Sequence, residues 1–185
     1  MPFDSREFRL QILKDLCQVG AENYRENVRT ISLLEDKAQK TAALAGIFLA
    51  ATLAFIKPEM FEKWPFNRLR VWIPLSAAVV LLIACIAFSV SVLWIRSIVE
   101  SVPFSSVERF KLGLFGVEAR ELPQYEEGYW EDTAAIWKQI LTQQSPITAS
   151  KAHRLLWAQI TLAVAMLSVA ALLLLVIQPF LAKLL

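Results

Sequence analysis

The chain is 185 residues long and 56% hydrophobic, with nineteen basic and seventeen acidic residues and a net charge of +2. Soluble domains are usually about 45–50% apolar; here the excess lies in three blocks, which points to bilayer burial and away from a soluble enzyme. The charge balance gives no basic stripe for nucleic acid, and two cysteines in dissimilar settings, Cys17 polar and Cys85 apolar, give neither a zinc framework nor a disulfide.

Met1 to Gly20 carries acids and bases and no apolar h-region, so it does not read as a cleavable secretory signal. Asp4 or Ser5 can cap a helix whose apolar residues Phe8, Ile12, Leu16 and Val19 recur at helical spacing. Gly20 is expected to break or bend it. A second helix is expected from Ala21 to Ile56, roughly 54 Å long, standing out of the membrane as a stalk. Its stripe of Tyr24, Val28 and Ile31 reads as packing against a neighbouring helix.

The first apolar block, Thr41 to Ile56, lies between Lys40 and Lys57. It is only about 24 Å of helix against a core of about 30 Å. Snorkelling of the two lysines makes it a span; the alternative is a buried or re-entrant helix. Ala42, Gly46, Ala50 and Ala54 recur every fourth residue. Such a small-residue stripe lets helices approach closely in lipid, so it is the candidate helix-packing or oligomer face; the alternative is chance spacing in an alanine-rich helix.

The second block, Val71 to Ile95, is uncharged between Arg70 and Arg96, with Trp72 and Trp94 placed for the two interfaces. After it, Pro103 is expected to stop the helix. Ser105 and Glu108 have capping-box spacing before Val107, Phe110 and Leu114. An acid-rich, irregular stretch follows from Gly116 to Asp132. Then comes an amphipathic helix through Tyr129, Trp130, Thr133, Trp137, Ile140 and Leu141. Ser145–Pro146 has the pairing that opens a helix, expected to run into the third block, Leu155 to Ala182.

The organisation expected is an all-α integral membrane helical bundle with three transmembrane helices and cytoplasmic helical extensions. Residues 1–40 form the N-terminal helix and stalk, 41–57 the first span and 58–70 an external loop. Residues 71–96 form the second span, 97–154 a cytoplasmic helical region and 155–182 the third span. Basic residues near the first side (Arg29, Lys37, Lys40, Arg96, Lys151, Arg154) slightly outnumber those on the second (Lys57, Lys63, Arg68, Arg70, Lys183), which places the N-terminus inside.

No catalytic, metal or cofactor motif is legible, and the chain reads as a non-enzyme. His153, the single histidine, sits one turn before the third block and reads as interfacial. Lys37 and Lys40, Lys151 and Arg154, and Arg96 gather at one interface. They would anchor lipid headgroups or, on a sharper reading, hold a phosphate-bearing ligand. Glu35 and Asp36 read as a polar pore mouth if copies assemble, or as a local ion pair, Asp36 and Lys40 being in the favoured i,i+4 order.

The run Leu33-Leu34-Glu35-Asp36-Lys37-Ala38 leads straight into the first block. Gln139-Ile140-Leu141, Gln144-Ser145, Ile147 and Lys151 to Leu155-Leu156 lead into the last. Both patches resemble the small transmembrane effectors of bacterial anti-phage signalling systems, the Pycsar-type and SLATT-like groups; Pro146 departs from the pattern. The resemblance implies a homo-oligomer in the bacterial inner membrane, silent until infection. A nucleotide second messenger or an upstream sensor protein then triggers clustering and loss of membrane integrity. The competing reading is an accessory membrane subunit that docks a soluble partner through Tyr125, Tyr129, Trp130 and Trp137, although these aromatics read better as packed against the stalk.

Overall fold

The computed structural model describes residues 5–54, 68–95 and 121–181. Among them every regular element is a helix: α1 (Ser5–Ala54), α2 (Arg68–Trp94) and α3 (Leu122–Leu181). The expected capped helix at Ser105–Glu108, the stop at Pro103, Arg96 and most of the 58–70 loop lie outside the described residues.

Three expectations are corrected. Gly20 neither breaks nor bends off a separate helix; α1 runs through it unbroken. The glycine serves close packing instead. A Cβ at that position would stand 2.9 Å from both Cβ and Cγ of Trp137, inside any comfortable contact. Ser145–Pro146 does not open a helix, because α3 already runs from Leu122. Pro146 costs one backbone hydrogen bond there and crowds the carbonyl four residues back, at Thr142. The acid-rich stretch is not irregular from Leu122 onward. Pro123 lies in the first turn, where an N–H has no helical partner to lose, and the amides of Gln124 and Tyr125 donate to the Glu121 carbonyl at 3.0 and 3.1 Å.

The chain divides into two compact units, through both of which α1 and α3 pass. One comprises Met1–Ile31 with Ser97–Ala149, the other Ser32–Arg96 with Ser150–Leu185. In the first, α1 and α3 run parallel. Arg9 pairs with Glu127 at 3.1 Å and with Glu131, and Lys14 with Glu126 at 2.9 Å. Further along, Tyr24 packs against Trp137 with ring centroids 5.7 Å apart and the planes tilted by 56°. The inward residues of α1 repeat every seven: Leu10, Cys17, Tyr24 and Ile31, with Leu13, Gly20 and Asn27 three places on. Those of α3 do likewise, through Trp130, Trp137 and Gln144 and through Ala134, Leu141 and Thr148. A strict seven-residue repeat is the spacing of left-handed coiled packing.

The second unit is a three-helix bundle with the same period. Its seam lines are Ala38, Ala45 and Thr52 in α1, Leu82, Ser89, Cys85 and Val92 in α2, and Lys151, Ala158 and Ala165 in α3. Ala45, Leu82, Cys85, Ala158, Leu162 and Ala165 form one buried cluster, and Ala38, Val92 and Leu155 a second. These contacts set α2 antiparallel to the other two helices. Three wholly buried alanines in the first cluster bring the backbones close.

The outward surfaces are apolar. Among the described residues two helices are long and apolar enough to cross a membrane, with windows of mean hydropathy 2.6 in Val71–Trp94 and 2.3 in Leu122–Leu175. Only 33% and 11% of those windows is buried, which is the reverse of a soluble core helix. The Thr41–Ala54 end of α1 does not pass the same test; it is the tail of a longer, mostly polar helix.

Candidate functional site

The feature with chemical content is a charge pair inside the second unit. Lys151 is wholly buried, on the inner line of α3, and its ammonium bonds the Glu35 carboxylate of α1. Glu35 keeps about a third of its side chain exposed. One turn on, Ala38, Leu155 and the facing Val92 close the seam beneath the pair. A buried ammonium without an anion is strongly unfavourable, so the two residues hold each other in place. Among the described residues this is the one ion pair that joins two helices of the unit.

The expected basic collar is thereby divided. Lys151 faces inward while Arg154, three residues on, is exposed and reaches the Ser91 carbonyl of α2 at 3.5 Å. Lys40 is held by Asp36 of its own helix at 2.6 Å, the i,i+4 pair expected, and Lys37 is exposed. Arg96 lies outside the described residues. Glu35 and Asp36, adjacent in sequence, separate: one turns to the seam and the other to the surface. His153 is exposed, and its Nε2 accepts from the Trp157 indole N–H at 3.0 Å.

The small stripe faces away from the seam. Ala42 and Gly46 are half-buried, Ala50 and Ala54 are exposed, and a Cβ at Gly46 would meet nothing within 4 Å. Of the aromatics weighed for docking, Trp137 packs on Gly20 and Tyr24, and Trp130 lies 5.7 Å beneath the Lys14 ammonium. Trp137 thus packs at the start of the expected stalk, and Trp130 against the part of α1 before it.

Polar residues on the seam are what the sequence concealed. Thr41, Thr52 and Ser89 are buried on inner positions, and so in the first unit is Gln144, whose amide has no hydrogen-bond partner among the described residues. Thr41 and Thr52 donate to the carbonyls of Lys37 and Phe48, at 2.8 and 2.7 Å. The signal available was the seven-residue spacing, in which these residues occupy places usually given to leucine. In the first unit, burial pushes the Cys17 thiol above its ordinary value, and the Lys14 hydrogen bond holds Glu126 below its own. No group of three or more potential metal ligands occurs among the described residues. No protein-family model, curated protein or solved structure matches the chain.

Proposed function

We propose that the chain is an anti-phage defence effector of the bacterial cytoplasmic membrane. It assembles with copies of itself and breaches the membrane when a nucleotide second messenger or a partner sensor triggers it. The carrying observation is the second unit's arrangement, with polar residues on an inner seam and apolar surface outside, as lipid demands. The end of α1 serves as a third span beside α2 and the apolar part of α3. Its support is that Ala45 packs in one cluster with Leu82, Cys85, Ala158 and Leu162, at the depth of both apolar helices. Parallel α1 and α3 with α2 reversed suits three crossings, and the excess of basic residues on the first side favours the N-terminus inside. The likeness of the Leu33–Ala38 and Gln139–Leu156 patches to the effectors supports the rest.

Copies meet along Ala42, Gly46, Ala50 and Ala54, which the chain's own seam leaves free to pack. Because a Cβ at Gly46 meets nothing within 4 Å in the chain, Gly46→Leu is expected to act on contacts between copies, with unchanged helicity by circular dichroism as the control. Induced expression should depolarise bacteria carrying a voltage dye, and Gly46→Leu should abolish the effect. Sustained potential with membrane-inserted wild-type protein, with and without phage infection, sinks the proposal.

One observation favours a second reading, an accessory subunit with a soluble partner. Phe8, Ile12, Leu16 and Val19 make an exposed apolar stripe on α1 away from the apolar blocks. Stoichiometric capture of a single partner without depolarisation is the outcome that selects it.

A further inference from the structure

We propose that the Glu35–Lys151 pair is a latch, and that breaking it lets water into the polar seam behind it. This rests on the membrane-effector reading and adds how that effector is held closed. The geometry is asymmetric. Lys151 is wholly enclosed while Glu35 reaches partly into solvent. A change outside the bundle can therefore draw the carboxylate away, and the ammonium left behind must be hydrated.

The route inward is marked by residue chemistry. Beyond the apolar seal of Ala38, Val92 and Leu155 lie Thr41, Ser89 and Thr52, all buried on inner positions. In the closed bundle the threonine hydroxyls are satisfied by their own helix. Each retains acceptor lone pairs for water. The opposite surfaces, Leu44, Ile47, Val80, Ile83, Val164 and Leu167, are large, apolar and exposed, and offer water nothing. A bundle that opens at the latch wets along the seam and not along its outside.

Cys85 reports on this directly. It is wholly buried in the seam, and with Cys17 it makes up the chain's cysteines. In full-length Cys17→Ser protein in native membranes, a small membrane-impermeant thiosulfonate reagent should label Cys85 slowly. Glu35→Lys and Lys151→Glu each place like charges at the latch and should speed labelling about tenfold or more. The double exchange, Glu35→Lys with Lys151→Glu, restores an opposite pair and should return labelling to the slow rate.

Unchanged labelling in helical, inserted single variants overturns the latch, as does a double exchange that labels as fast as the singles. If the singles fail to insert, the double exchange decides alone: insertion with a protected Cys85 supports the latch, and failure overturns it. Voltage-dye recordings separate the two readings. Faster labelling without depolarisation keeps the latch and sinks the membrane breach, whereas depolarisation with Cys85 still protected does the opposite.

Discussion

At the scale of single residues, two glycines on one helix behave oppositely. Gly20 abuts Trp137, so Gly20→Ala should cost about 1–3 kcal/mol through forced displacement of the indole, read as a lower thermal midpoint by circular dichroism. Gly46→Ala meets no neighbour and should leave that midpoint unchanged or raise it by up to about 1 kcal/mol. Glu126 gives a pH dependence of definite sign. Its folded pKa is depressed by Lys14, so its contribution is present above the unfolded value of about 4.3 and fades as pH falls through the folded one. The pair is exposed, so the effect is small. A carboxyl NMR titration should show Lys14→Ala moving Glu126 back up toward the ordinary range. Cys17, with a raised pKa and its thiol turned to the Trp130 carbonyl, should alkylate more slowly in native than in unfolded protein at pH 8.

At the scale of elements, the apolar blocks were legible and the helix ends were not. Val71–Ile95 could be read because charge stops at Arg70 and Arg96, and α2 covers it to Trp94. Gly20, the acid-rich stretch before Asp132 and Ser145–Pro146 misled because local signals are weak against a helix packed along its length. A period-four stripe, Ala42 to Ala54, was visible because its members are alike. The period-seven seam was not, because alanine, threonine, serine, glutamine and lysine alternate along it. The Glu35–Lys151 contact has no spacing rule at all, since its partners come from different helices. Pro146 remains the weak point of α3. Pro146→Ala should raise the thermal midpoint, by up to about 3 kcal/mol of stability, by restoring the missing hydrogen bond.

At the scale of the whole chain, hydropathy distinguishes, among the described residues, two long apolar helices from the Thr41–Ala54 end of α1. The end of α1 is short, and its packed face carries Thr41 and Thr52. Its contacts with α2 and α3 bring together residues far apart in sequence: Glu35 and Lys151 are 116 positions apart. That separation has a meaning in time. At about 5–20 residues per second, a ribosome delivers Lys151 roughly 6–23 s after Glu35. During that interval Glu35 lacks its buried partner. In the proposed three-span arrangement biogenesis would then have an order, with α2 entering first as an independent hydrophobic unit and α1 settling when the last helix arrives. In a chain stalled or cut before Lys151, a cysteine substituted at Ala45 should be open to a membrane-impermeant thiol reagent, and completion of α3 should protect it.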